Sequence, residues 1–150
     1  MLARVLETSE FDFAGGQLKP IRYDYTRSGM GKSKQAFIAF DYGSKTLQHQ
    51  DGTSEFIGGT LDKLSYQYQL TLDLANLASS ERSSNTFEYV VADGDKLKNY
   101  RFRVAGEEVL ATPTGDILTV KIERVREHDS DRKTTFWLAK DHDYLLTKFK

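Results

Sequence analysis

The segment from residues 112 to 146 constrains the fold most, because its pattern predicts two long strands folded against each other. Residues 112–116 combine threonine, proline and glycine, a composition typical of a turn. Residues 117–126 read as a strand, and residues 133–139 read as its return after a polar reversal at 127–132. An antiparallel β-hairpin is therefore the clearest structural signal in the chain.

Short alternating strands separated by turn residues fill most of the remaining sequence. Ile21, Tyr23 and Tyr25 alternate with polar residues over 19–27, and Gly29 and Gly31 then suit a tight reversal. Further strands are predicted at residues 35–42, 46–50, 86–92, 98–105 and 106–111, with a short one around Phe11 and Phe13. The predicted fold class is mainly β, a curved antiparallel sheet or partial β-barrel of meander strands.

Residues 61–76 are predicted to form one helix packed on that sheet, although periodicity alone does not decide between helix and strand. Every second residue from Leu64 to Leu74 is apolar, which fits a strand. Thr60 is a candidate N-cap with Asp62 in the first turn. Apolar residues also recur at helical spacing, at Leu61, Leu64, Tyr68, Leu72 and Ala75. The length of the segment and its capping signal favour the helix.

Composition bounds the class of protein. The 150 residues fit a single domain, and they are 39% hydrophobic and 29% charged with a formal net charge of −1. This balance, with acidic residues among the basic ones on the same predicted strands, argues against nucleic acid as a partner. The absence of cysteine excludes disulfides and thiolate metal sites. No apolar run approaches the roughly 20 residues of a transmembrane helix.

Motifs for common activities are weak, so no catalytic residue, cofactor or metal is predicted. Gly31-Lys32-Ser33 is similar to the end of a phosphate-binding loop, but the earlier glycine which that motif requires is replaced by Thr26. No Gly-x-Ser-x-Gly nucleophile elbow occurs. Two clusters pair histidine with carboxylates without the spacing of a helical metal site: His128 with Asp129 and Asp131, and His142 with Asp141 and Asp143.

Several motifs occur along the chain in an order that resembles that of a known family. These motifs are Thr60-Leu-Asp-Lys-Leu-Ser-Tyr, Val91-Ala-Asp-Gly, Tyr100-Arg-Phe-Arg-Val, Thr112-Pro-Thr-Gly and Thr134-Thr-Phe-Trp-Leu-Ala. Over roughly residues 55 to 146 the chain resembles the bacterial exported family catalogued as domain of unknown function 3108. The resemblance implies the helix, a periplasmic location and an architecture similar to that of periplasmic lipoprotein carriers, but no activity.

The chain also departs from that family pattern. Members usually have a signal peptide, further strands at both ends, and a proline where this chain has Leu146. We therefore expect a shortened member that lacks N-terminal and C-terminal strands of the full family domain.

Three functional hypotheses follow. The first is a non-enzymatic binding or carrier module for a hydrophobic ligand, such as a lipid, or for a segment of an envelope protein. Its predicted site is the aromatic set Tyr23, Tyr25, Phe37, Tyr66, Tyr68, Phe102 and Trp137. The second is an envelope enzyme acting on glycans through Glu107, Glu108 or the loop at residues 141–143. The third is an assembly role, in which exposed sheet edges pair two copies as a homodimer.

Overall fold

The computed structural model describes residues 2–77, 86–126 and 132–150. In these ranges the chain forms ten strands and one helix, and the strands make two antiparallel sheets of which one is a curled half-barrel. This confirms the predicted fold class. Within the described ranges, no helix has the length and the apolar character needed to cross a membrane.

The elements follow one another along the chain in a simple order. They are β1 (Arg4–Ala14), β2 (Gln17–Ser28), β3 (Lys34–Asp41), β4 (Thr46–His49), β5 (Gly52–Glu55), α1 (Ser65–Asn76), β6 (Thr86–Asp93), β7 (Lys96–Thr112), β8 (Gly115–Val125), β9 (Thr135–Ala139) and β10 (Leu145–Phe149). The first sheet has the order β1-β2-β3-β4-β5 and the second the order β10-β9-β8-β7-β6. Each sheet is therefore a meander, in which every strand pairs with its neighbours in sequence.

The chain divides into two compact units. The first unit comprises the described residues up to Gln69 together with Tyr89–Asn99, and the second comprises those of Leu70–Glu88 and Tyr100–Lys150. The single-domain assignment stays a prediction. The first unit buries an apolar cluster formed by Tyr23, Ile38, Phe40, Leu47, Phe56 and Ala92.

The second unit contains the hairpin that the sequence predicts most clearly. β8 pairs with β9 from Thr119↔Ala139 to Glu123↔Thr135, which confirms both predicted strands. Its most deeply buried side chains include those of Phe102, Ile122 and Phe136, and the rings of Phe102 and Phe136 lie 5.7 Å apart. Most of the predicted reversal at 127–132 and the predicted polar loop at 79–85 lie outside the described residues.

The helix is confirmed, and the strand alternative for this segment is wrong. The N-cap is Asp62 rather than Thr60. The Asp62 carbonyl accepts the Tyr66 N–H at 3.3 Å, and its Oδ1 accepts the Ser65 N–H at 2.7 Å. Ser65 Oγ in turn accepts the Asp62 N–H at 2.9 Å, which completes a reciprocal capping box. Thr60 Oγ1 instead donates to the Ile57 carbonyl at 2.7 Å.

Side-chain contacts hold the first half of α1 against the β1–β2 hairpin. Ser9 Oγ donates to Asp62 Oδ2 at 2.5 Å, and the buried Gln69 accepts the Leu18 N–H at 2.8 Å while donating to the Gly16 carbonyl at 2.9 Å. The buried helix positions include Ser65, Tyr66, Gln69 and Leu70. These differ from the predicted apolar stripe, since Tyr68 is 55% exposed.

Several strands differ from the prediction in length or number. β1 is a full strand rather than a short one, and β5 and β10 were not predicted. The strand expected at 98–105 and its continuation at 106–111 form one strand, β7, whose register with β8 shifts between Val104 and Gly106. Gly106 has a φ of 140° at this shift, a backbone conformation that residues other than glycine rarely adopt.

Candidate functional site

A cleft of about 350 Å³ lies in the first unit, where β3 extends beyond the end of β4. The ladder between these strands covers Ile38–Asp41, opposite Thr46–His49. Residues 34–37 of β3 are paired with β2 on one side, and the β3–β4 ladder does not reach them on the other. We call residues 34–37 the open edge of β3.

The carboxamide of Gln50 bonds to this open edge. Gln50 follows the last residue of β4, and its Oε1 accepts the Phe37 N–H at 3.0 Å. Its Nε2 donates to the Gln35 carbonyl. These two backbone groups flank Ala36 and point away from β2, and the residues opposite Gln35 and Phe37 in an added antiparallel strand would engage them. A side-chain amide therefore makes the contacts of a neighbouring strand.

Aromatic and aliphatic side chains form one wall of the cleft. Its apolar lining consists of Tyr23, Tyr25, Ala36, Phe37, Ile38 and Ala92. Pairing of Tyr23 with Ile38 and of Tyr25 with Ala36 places these four side chains on one face of the sheet. The cleft takes its lining from three of the seven predicted site residues, Tyr23, Tyr25 and Phe37, and of these Tyr23 and Tyr25 lie on the same face of the sheet.

A second depression, of about 500 Å³, borders the same open edge. Its lining includes Arg22, Asp24, Thr26 and Gln35, and it shares Tyr25, Ala36, Phe37 and Gln50 with the cleft. Pairing of Asp24 with Phe37 and of Thr26 with Gln35 assigns these four side chains to the opposite face of the sheet from Tyr23. The second depression therefore reaches from the open edge of β3 onto the face opposite the cleft.

Polar groups in the cleft are held by specific partners. The Tyr23 hydroxyl donates to Glu7 Oε2 at 2.7 Å, and burial together with this carboxylate raises the pKa of Tyr23 well above its ordinary value. Asp93 binds Lys63 Nζ at 2.6 Å and Lys98 Nζ at 2.5 Å. Burial alone would raise the pKa of Asp93, but the two ammonium groups outweigh it and hold the pKa below its usual value.

The other predicted site residues lie elsewhere. Tyr66 is buried in α1, and Tyr68 is exposed with its ring 6.1 Å from that of Phe11. Phe102 and Trp137 belong to the second unit, where they are 0% and 6% exposed. Neither of these two residues lines the cleft.

The carboxylates considered for a glycan enzyme are bonded to neighbouring side chains. Trp137 Nε1 donates to Glu108 Oε2 at 2.9 Å, and Lys140 Nζ binds Glu107 Oε1 at 2.8 Å. Asp141 lies in an exposed turn. Among the described residues, no three histidine or carboxylate side chains are placed to hold a metal ion, and His128, Asp129 and Asp131 lie outside the described ranges.

Sequence reasoning missed the polar half of the cleft. Lys34, Gln50, Lys63 and Asp93 come from four separate stretches of the chain. Asp93 was not predicted as a site residue, because a charged residue at a hairpin tip is normally exposed. No local signal brings the start of α1 beside the β6–β7 turn, so these residues could not have been grouped without the structure.

The protein is therefore of the mainly β class, with two meander sheets, and its first unit contains a cleft lined by both aromatic and polar side chains. The chain belongs to the family described as Protein of unknown function (DUF3108), whose model matches residues 1–150. This confirms the family resemblance and extends it beyond residues 55–146. The expectation that flanking strands are missing stays a prediction. No curated protein matches the chain, and no solved structure does.

Proposed function

We propose that the protein is a non-enzymatic binding or carrier module whose cleft receives an apolar group of a hydrophobic ligand or of a protein segment. The observation that carries this proposal is that the rings of Tyr23 and Tyr25 lie on one face of the sheet and line one cleft. Binding pockets commonly join aromatic walls to a few fixed polar groups, and their volumes start at roughly 300 Å³. The Tyr23–Glu7 and Lys63–Asp93 pairs are such fixed groups.

Binding of a fluorescent apolar probe tests the proposal. We would titrate 1-anilinonaphthalene-8-sulfonate into the full chain and into the variants Tyr25→Ala and Tyr68→Ala. Tyr25 lines the cleft, whereas Tyr68 is 55% exposed on α1 and does not line it, so the same substitution serves as a matched control. Loss of an aromatic contact in the cleft should weaken binding about tenfold in Tyr25→Ala alone.

Equal binding by both variants would contradict the proposal, because the probe would then sit elsewhere. Mass spectrometry of an organic extract from protein purified gently from its native source is the complementary measurement. A stoichiometric small molecule that is absent from Tyr25→Ala would identify the ligand class directly.

We also propose a periplasmic location. Its support is the motif order that resembles an exported bacterial family. Osmotic-shock fractionation of the source bacterium, with detection of the endogenous protein by antibody, tests the location. Recovery with a cytoplasmic marker enzyme rather than with a periplasmic one would overturn it.

A second candidate function is self-association through the outer edge of β1. β1 ends the first sheet, and the side chains of Val5, Leu6 and Phe13 on it are 52%, 54% and 56% exposed. A twofold antiparallel pairing centred on Thr8 would place Arg4 of each copy opposite Asp12 of the other, and Val5 opposite Phe11. Exposed apolar edge strands are sites of such pairing.

Sedimentation velocity separates this candidate from a monomer. The wild-type chain should sediment as a dimer at micromolar concentration, and Leu6→Lys should sediment as a monomer, because a lysine on an edge opposes pairing. The candidate would be wrong if the wild-type chain stayed monomeric at every concentration up to about 100 μM. A dimer with a weaker dissociation constant than this has only a small free energy of association.

A further inference from the structure

We propose that the occupant of the cleft is an extended polypeptide segment of a partner protein, which adds as a strand to the open edge of β3. This inference rests on the proposed function of the cleft and names the ligand class. The open edge consists of residues 34–37, which pair with no strand on that side among the residues that the structure describes. A polypeptide is the ligand that such a row of backbone groups recognises.

The contacts of Gln50 support a ligand built of amides. Its carboxamide accepts the Phe37 N–H and donates to the Gln35 carbonyl. An added strand offers the same acceptor and donor to the same two groups. The Gln50 carboxamide therefore occupies the two backbone groups that a bound peptide would use, and the incoming segment displaces it.

The two depressions fit the alternation of side chains along a strand. Successive side chains of an added strand point to opposite faces of the sheet. One would enter the cleft beside Tyr25, and the next would enter the depression that Arg22 and Asp24 line on the other face. A single acyl chain would fill one depression and leave the other empty.

The charges of the lining also favour a polypeptide over a fatty acid. Lys34 and Asp51 line the cleft, are exposed, and make no ion pair within the described ranges. Gln50, Lys63 and Asp93 add further polar surface. A segment with acidic and basic side chains can pair with both free charges, whereas a fatty acid has one charged group and a chain that gains little against polar walls.

The test selects random twelve-residue peptides by phage display on the full chain and measures the best synthetic peptide by calorimetry. The decisive variant is Gln35→Pro. Gln35 and Phe37 lie two residues apart, so both N–H groups point away from β2, and proline at 35 removes an outward donor without removing a bond to β2. Gln35→Ala is the matched control, because it keeps that N–H.

Strand addition predicts that Gln35→Pro weakens the peptide about tenfold or more, while Gln35→Ala stays within about twofold of wild type. Methylation of the peptide nitrogens should abolish binding. Gln50→Ala should bind about threefold more tightly, because the competing carboxamide is gone. Equal affinities for Gln35→Pro and Gln35→Ala, or an unchanged or weakened affinity for Gln50→Ala, would overturn the proposal.

The outcomes also separate this inference from the proposed function. If no peptide is selected while the fluorescent probe still distinguishes Tyr25→Ala from Tyr68→Ala, strand addition is wrong and the binding cleft stands. If the probe does not distinguish those two variants, the proposed function itself fails.

Discussion

The end of β3 in the first unit and the middle of β9 in the second each carry an aromatic residue, but in different surroundings. Trp137 on β9 lies opposite Lys121 of β8 and Lys148 of β10, whose ammonium groups are 5.7 and 4.6 Å from its ring centroid. Phe37 on β3 lies opposite Asp24 of β2, and the ladder with β4 stops before it. Trp137 is 6% exposed, whereas Phe37 is half-buried.

The presence of an aromatic residue in a strand therefore does not indicate by itself whether its ring belongs to the core or lines a depression at the surface. A ring with a strand on both sides becomes core, since long neighbouring side chains cover it. A ring beyond the end of a neighbouring strand can line a cleft. Strand length in the neighbour, rather than the identity of the aromatic residue, makes the distinction.

The largest expected effect is the loss of stability in Phe102→Ala. Phe102 is 0% exposed in the second unit, so its removal should lower the free energy of unfolding by about 3–5 kcal/mol. Phe37→Ala is the comparison at the open edge and should cost less than about half as much, because that ring is only half-buried. Urea unfolding followed by circular dichroism measures both. Equal losses would show that the two regions are packed alike.

Gln69→Met tests how the helix holds the β1–β2 hairpin at the edge of the first unit. Methionine fills a similar volume but leaves the Leu18 N–H and the Gly16 carbonyl without the Gln69 amide, at an expected cost of about 2–4 kcal/mol. Gln67→Met is the matched control on the same helix, since Gln67 is only partly buried. A loss in Gln67→Met as large as that in Gln69→Met would contradict this account.

Trp137→Phe tests the closed region more finely. Phenylalanine keeps much of the apolar contact but loses the Nε1–H bond to Glu108, so we expect a loss of about 1 kcal/mol in urea unfolding. Glu108→Gln retains an acceptor for that bond and should cost less. A larger effect for Glu108→Gln than for Trp137→Phe would assign the carboxylate a role beyond this bond.

The smallest expected effect is a pH dependence from Asp93 at the rim of the cleft. Its folded-state pKa is lowered by Lys63 and Lys98 despite burial, so its ionised form stabilises the folded state above its ordinary pKa. That contribution is lost as the pH falls through the lowered folded-state pKa. The free-energy difference between wild type and Asp93→Asn should therefore shrink between about pH 5 and pH 2, by less than about 1 kcal/mol. Asp95→Asn, in the same turn, is the control. A difference between wild type and Asp93→Asn that grows on acidification would contradict the direction given for the pKa.

The fold was largely predictable, because strand alternation and turn residues are local properties. Strand-favouring residues over 117–126 and 133–139, with a polar reversal between them, predicted the β8–β9 hairpin, and proline and glycine at 112–116 predicted the turn that joins β7 to β8. Thr60 was mistaken for the N-cap because threonine and aspartate both cap helices, and only the bonds of Asp62 distinguish them. β5 was missed, since Gly52–Glu55 is short and lacks an apolar alternation.

The site was only partly predictable. Tyr23, Tyr25 and Phe37 were predicted as ligand-binding residues because they are aromatic and lie on strands. The sequence did not distinguish them from Phe102, which is fully buried in the second unit. The role of Gln50 depends on the point at which the β3–β4 ladder stops, and a register is a pairing between distant residues that alternation does not specify.

The order of strands in both sheets bears on how the protein folds. In each sheet every strand joins a neighbour that directly precedes or follows it in sequence, so each hairpin closes only a short loop. Sheets built from such local pairings have low contact order and fold faster than sheets of equal size with distant pairings. The exception is the parallel bridge between Leu61 and Val91, which spans the helix. We expect this bridge to form late in folding, after the β1–β4 strands have paired.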